Sequence, residues 1–237
     1  MNENIKKEKI DTIILSDIHL GSEVSRAGKA TEVLKSYNFN RLILLGDIFD
    51  DLDFERLSRE HWSFLSYVRE LSNPKNKIEV IWVEGNHDEG LSKIMSHLIG
   101  ITVNKMYLFQ CGSNNILAIH GHQFDRFLND NLLLSNIAGY FYKLIQKWGG
   151  KNQKLARFIK RQSKGWMRIS EKVAVGAIKY AQRRKANVVI CGHTHIATQE
   201  PYILNDIKYY NTGCFTDIPS QYIVITESGS VLNKEIN

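Results

Sequence analysis

Residues 41–50 read Arg41-Leu42-Ile43-Leu44-Leu45-Gly46-Asp47-Ile48-Phe49-Asp50, a short unbroken apolar run followed by a glycine and an acid. So brief a run is too short for a core helix and suits a strand buried on both faces. The same pattern recurs on either side. Thr12–Ser16 leads into Asp17-Ile18-His19-Leu20-Gly21, and Glu79–Val83 into Glu84-Gly85-Asn86-His87-Asp88. Ile116–Ile119 leads into His120-Gly121-His122-Gln123-Phe124-Asp125, and Val188–Cys191 into Gly192-His193-Thr194-His195. Lys208–Asn211 and Tyr222–Thr226 read as further strands. Helical periodicity falls between them, as over Phe54–Leu71, where Trp62, Leu65 and Val68 recur at helical spacing. Strands alternating with helices predict an α/β body, and open α/β sheets place their ligands beyond strand ends.

Bulk properties narrow the field. A chain of 237 residues, 43% hydrophobic, can bury one large core. Three widely spaced cysteines (Cys111, Cys191, Cys214) show no metal-ligand or redox spacing, which predicts reduced thiols and a cytoplasmic protein. Met1 to Asp11 has no apolar leader segment, and nowhere do about 18 apolar residues run together, so no bilayer span is expected.

Charge is unevenly spread. The net formal charge is +6, yet Gln123–Lys185 alone holds 15 Lys and Arg against three acids, leaving the rest of the chain net acidic. Within it Leu133, Ile137, Phe141, Leu144 and Trp148, and after Gly149-Gly150 Leu155, Ile159, Trp166, Ile169, Val173, Ala177 and Ala181, follow helical spacing. We therefore expect residues 123–186 to be a basic amphipathic helical lid inserted into one body formed by 11–122 and 187–233. The bland reading of that lid is an apolar stripe packed on the body with solvated charges.

A single Asp or His at a strand end is usually a turn former or a satisfied polar residue. The set is different in kind. Asp17 and His19 lie two apart past one strand, His193 and His195 two apart past another, and Asp47, Asn86 and His120 each follow a strand. Carboxylate, imidazole and amide oxygen together suit divalent first-row metals such as Mn, Fe, Zn or Co. The flanking glycines Gly21, Gly46, Gly85, Gly121 and Gly192 would let the backbone curl so that alternate residues reach one cation.

In order and spacing, these clusters resemble the calcineurin-like metallophosphoesterase superfamily: D-x-H at Asp17–His19, GD-x-x-D at Gly46–Asp50, GN-H-D at Gly85–Asp88, a lone His at His120 and GH-x-H at Gly192–His195. The resemblance implies a two-sheet αββα sandwich and a pair of divalent cations, Mn foremost. It places Asp17, His19 and His195 on one metal and Asn86, His120 and His193 on the other, with Asp47 bridging. Two such cations, about 3.5–4 Å apart, clamp phosphoryl oxygens and lower the pKa of a water between them. His87 is expected to stabilise or protonate the reacting group, and Asp50 to orient His87. His61 and His97 fall within helical patterns and read as ordinary surface or partly buried residues.

A closer resemblance, carried by His120–Asp125, the helical insertion, Ser16–Gly21 and Tyr209-Tyr210-Asn211-Thr212-Gly213, is to the UDP-2,3-diacylglucosamine pyrophosphatase-like branch. It implies hydrolysis of a nucleotide-sugar lipid with release of UMP, a lid that holds acyl chains, and a peripheral contact with a membrane. His122, Asp125, Arg157 and Lys164 are the expected substrate-side residues. The chain departs from the lipid A enzymes at His87, where they carry arginine, and at His122, where they carry an acid. Two other readings remain open: a nucleotide or nucleic-acid phosphodiesterase using the basic stripe, and a scaffold that keeps the fold without catalysis.

Overall fold

The computed structural model describes residues 7–90, 100–125 and 164–237. Two sheets stack face to face. The larger has the order β13-β12-β2-β4-β5-β6. Here β2 (Thr12–Leu15), β4 (Arg41–Leu45), β5 (Glu79–Val83) and β6 (Val103–Asn104) run parallel, while β12 (Ser220–Ile225) and β13 (Val231–Ile236) are antiparallel additions. The smaller has the order β10-β11-β9-β8-β7. Its parallel centre is β8 (Asn114–Ala118), β9 (Val188–Cys191) and β11 (Ile207–Asn211), edged by β7 (Tyr107–Cys111) and β10 (Tyr202–Leu204). A short parallel pair, β1 (Glu8–Lys9) with β3 (Tyr37–Asn38), stands apart.

Strand alternation explains why the central runs are apolar throughout. Ile14, Ile43, Leu45 and Val83 point toward the second sheet and meet Ile116, Ala118, Val188 and Ile190. Their neighbours Ile13, Leu15, Leu42 and Leu44 point the other way, into a layer with α1 (Ala27–Ser36) and α2 (Arg59–Leu71). A strand covered on both faces has no solvent side on which to place polar residues. The fourth layer is α3 (Lys164–Arg183), whose Ala174, Ala177, Ile178 and Ala181 lie against Leu117, Val189, Cys191 and Tyr209 of the smaller sheet. The two-sheet αββα sandwich is thus present.

Three expectations shift. The helical stretch 54–71 divides into a 3-10 turn, Phe54–Arg56, and α2, because Ser58 caps α2 through the N–H of His61. Trp62 is 50% exposed, and His61 is buried beside Phe64, Leu65 and Val68. Lys164–Arg183, assigned to the lid, is a layer of the body: its small apolar stripe fits flush on the sheet. The first helical series of the expected lid, from Leu133 to Trp148, lies outside the described residues, as does His97. Cys111, Cys191 and Cys214 are buried, and no disulfide joins them. Among the described residues no helix is long and apolar enough to cross a membrane.

Candidate metal centre

Parallel pairing brings the carboxyl ends of β2, β4 and β5 to one rim, with Leu15 beside Leu44 and Leu45 beside Val83. The ends of β8 and β9 arrive from the other sheet, with Ala118 beside Ile190. Every motif leaves a strand at this rim. Donor atoms of Asp17, His19 and His195 lie within 4.8 Å of one another, as do those of Asp47, His120 and His193. Asn86 stands exposed on the loop between Gly85 and His87.

The chain curls here at the donors themselves. Asp17, His19, Asp47, His193 and His195 have φ of 50°, 51°, 50°, 67° and 57°. Left-handed backbone at a non-glycine residue is uncommon and costs about 1–3 kcal/mol each, so it persists only where surroundings enforce it. They do so through hydrogen bonds: Asp17 N–H donates to the Gly46 carbonyl and His19 N–H to that of Asp47, each at 3.0 Å, and Asp17 accepts Phe215 N–H at 3.0 Å. Gly21, Gly46 and Gly121 share the left-handed backbone, at φ of 99°, 78° and 109°, and two of the glycines also supply clearance. A Cβ on Gly46 would sit 2.4 Å from His120 Nδ1, and one on Gly85 2.1 Å from Asp47 Oδ1.

Each carboxylate has one oxygen anchored and the other turned to an imidazole. Asp17 Oδ2 accepts from Ser16 Oγ (2.5 Å) and His193 N–H (3.1 Å), while Oδ1 lies 3.0 Å from His195 Nε2. Asp47 Oδ1 accepts His87 N–H at 2.9 Å, and Oδ2 lies 3.3 Å from His120 Nε2. Burial raises the carboxyl pKa values. The imidazoles reverse this, holding Asp17 at about 2 through His195 and His120, and Asp47 well below its ordinary value through His120, His87 and His19. Burial lowers His120, and Asp47 more than reverses it, to about 9.

Imidazole tautomers follow from what the other nitrogen meets. A carbonyl can only accept, so His120 Nδ1, 2.9 Å from the Leu45 carbonyl, carries a proton, and Nε2 is the nitrogen that would give up its own proton to hold a cation. Asp17 Oδ1 and His120 Nε2 are buried without a hydrogen bond of adequate geometry. Buried polar atoms are almost always satisfied. Converging oxygen and imidazole donors left in that state fit divalent cations, with Asp17, His19 and His195 able to hold one and Asp47, His120 and His193 the other.

Around the donors, His87 is exposed. Its Nδ1 lies 2.6 Å from the backbone carbonyl of Asp50, and its ring stands edge-on to His19 at 4.9 Å. The Asp50 carboxylate reaches His19 Nδ1 at 3.4 Å and Arg56 at 3.1 Å, and lies with His19 and His87 in a third group of converging donors. His122 is half-buried, its pKa driven down to about 3 by burial and by His120 and His193. Asp125, expected on the substrate side, is 1% exposed, with Oδ2 3.4 Å from His193 Nε2. Arg157 lies outside the described residues, and Lys164 is the first residue of α3.

Sequence reasoning missed Asp88. It is buried, and its carboxylate accepts the N–H groups of Ile48 (3.1 Å), Phe49 (3.0 Å) and Gly85 (3.4 Å), tying the Asp47 loop to the Asn86 loop. Burial and nearby Asp47 raise its pKa to about 6. Its place at the end of the third motif was the available signal.

No curated protein matches the sequence. Among solved structures, an archaeal phosphodiesterase is 14% identical over 95% of this chain and 99% of its own, with a TM-score of 0.52. The phosphoesterase YfcE from E. coli is 16% identical (95% and 99% covered, TM-score 0.48), and Chaetomium thermophilum Vps29 is 11% identical (95% and 96% covered, TM-score 0.49). At these identities the archaeal structure speaks to fold alone. A family model described as calcineurin-like phosphoesterase matches residues 10–197, most of the chain, and the protein belongs to that family.

Proposed function

We propose that this chain hydrolyses a phosphodiester or pyrophosphate with two divalent cations, Mn foremost, and that its substrate is a nucleotide-linked lipid sugar of the UDP-2,3-diacylglucosamine type. The observation that carries the hydrolytic reading is the pair of three-donor clusters, Asp17–His19–His195 and Asp47–His120–His193, on one sheet rim. Cations held there supply Lewis acidity toward a phosphoryl group and a nucleophile near neutral pH. The residues do the rest. Asp17 and Asp47 stay ionised and anchored, so charge and geometry are set before substrate arrives. His87 has Nδ1–H committed to the Asp50 carbonyl, so Nε2 is the nitrogen left to face the substrate, and the doubly protonated ring gives its Nε2 proton to the leaving oxygen. The finer substrate rests on the likeness of His120–Asp125 and Tyr209–Gly213 to that branch and on the basic run 123–185.

Metal analysis of the purified protein, combined with turnover of an aryl phosphodiester and of UDP-2,3-diacylglucosamine, tests both levels. Two bound metals with turnover of both, and loss of metal and turnover in Asp47→Asn, support the reading. Cleavage of the aryl diester and of RNA or DNA, but not of the lipid, would replace the substrate by a nucleic acid. Two metals with no turnover on any ester would make the chain a scaffold.

A further inference from the structure

Three of the imidazoles in the two clusters are backed by an acceptor: His120 by the Leu45 carbonyl, His19 by Asp50 and His193 by Asp125. Of these acceptors only Asp125 comes from a segment that no metal motif requires. It closes the 3-10 turn His122–Phe124, where Asp125 N–H donates to the His122 carbonyl at 3.1 Å and Phe124 N–H to that of Gly121 at 3.0 Å. The turn is held from above by α3. Phe124 lies on Gly176, where an added Cβ would come within 2.8 Å of the Phe124 Cβ, and its ring meets Tyr180 at 5.7 Å. Val173 of the same helix lies over Gly121. A carboxylate so buried offers substrate no surface, but it occupies the place from which an imidazole's far nitrogen is oriented.

Resting on the two-metal reading, we propose that Asp125 is a positioning residue for the second metal position. It holds His193 through Nε2, so that Nδ1 serves as donor beside Asp47 and His120, and α3 sets its place through the Phe124 ring seated on Gly176. Helix α3 is thereby coupled mechanically to one metal position and not to the other.

The experiment is a Mn²⁺ titration of wild type, Asp125→Asn and Asp125→Glu, reading stoichiometry and affinity at each site, with kcat and KM for an aryl phosphodiester at low and high Mn²⁺. Outer-shell partners of metal ligands typically contribute about 10–100-fold in affinity. We expect Asp125→Asn to keep the first metal at wild-type affinity and to bind the second about 10–100-fold more weakly. Its kcat should recover at high Mn²⁺ with KM unchanged, and Asp125→Glu should restore part of the affinity. Wild-type affinity at both sites with raised KM would overturn the proposal and return Asp125 to the substrate. Should Asp125→Asn fail to fold, Phe124→Leu loosens the same turn from outside the site; a smaller loss confined to the second metal supports the proposal, and no loss overturns it. Fewer than two metals in wild type would overturn the hydrolase reading itself, an outcome distinct from any variant effect.

Discussion

Nδ1 of His61, in the first turn of α2, accepts the backbone N–H of Gly21 at 3.2 Å, two residues beyond the donor His19. The same nitrogen accepts Ser58 N–H at 3.2 Å. One unprotonated nitrogen therefore ties the start of α2 to the loop that carries half of a metal cluster.

That arrangement has a pH consequence. Burial lowers the His61 pKa, so folding favours its neutral form. The stabilisation is fully present above the unfolded value near 6.5 and is lost as pH falls below it toward the folded value. Urea midpoints measured at about pH 7.5 and about pH 5.5 should diverge more in wild type than in His61→Gln. An equal drop in both would remove His61 from the account.

Asp88 should matter more to stability than its distance from solvent suggests. Asp88→Ala strands the N–H groups of Ile48, Phe49 and Gly85, each a loss of about 1 kcal/mol or more. We expect a destabilisation of about 3 kcal/mol in denaturant, and about 1 kcal/mol for Asp88→Asn, which keeps one acceptor. Equal stability of the alanine variant would show that the two loops are held by other means.

Gly85→Ala is predicted to be the most damaging single methyl group at the rim. Its Cβ would fall 2.1 Å from Asp47 Oδ1 and 2.3 Å from Asp47 N, so the β4 loop must move. Loss of metal at the cluster containing Asp47 is the expected result, read by metal analysis of the folded variant. Full occupancy would mean the loops give way more easily than the packing indicates.

His87→Asn separates chemistry from assembly. The backbone N–H that holds Asp47 survives the substitution, whereas the proton-donating ring does not. Metal content should stay at the wild-type level while kcat falls about 10²–10⁴-fold, the usual contribution of a positioned acid or base. A variant with unchanged kcat would assign protonation of the leaving group elsewhere.

Much of this was readable in the chain because the relevant rules are local. A strand buried on both faces must be apolar throughout, so Arg41–Leu45, Glu79–Val83 and Val188–Cys191 mark their own boundaries, and the polar residues that follow must sit at strand ends. Helix α1 was missed: its buried Ala27, Ala30, Val33 and Leu34 are small or few, and its N-terminus at Arg26 lacks a side-chain cap. The glycines were expected to provide the curl, and Gly21, Gly46 and Gly121 do so at φ of 99°, 78° and 109°, but Asp17, His19, Asp47, His193 and His195 adopt it as well, and Gly46 and Gly85 also leave room for neighbours.

The order and spacing of Asp17, His19, Asp47, Asn86, His120, His193 and His195 were enough to name the strands they follow and the family, since each follows from periodicity and side-chain chemistry within a few residues. Only the folded chain could decide that His61 turns inward while Trp62 turns out, that Asp125 backs His193, and that Lys164–Arg183 is a layer of the body. Those outcomes depend on what stands across a gap from each side chain, and partners that distant in sequence leave no periodic trace in it.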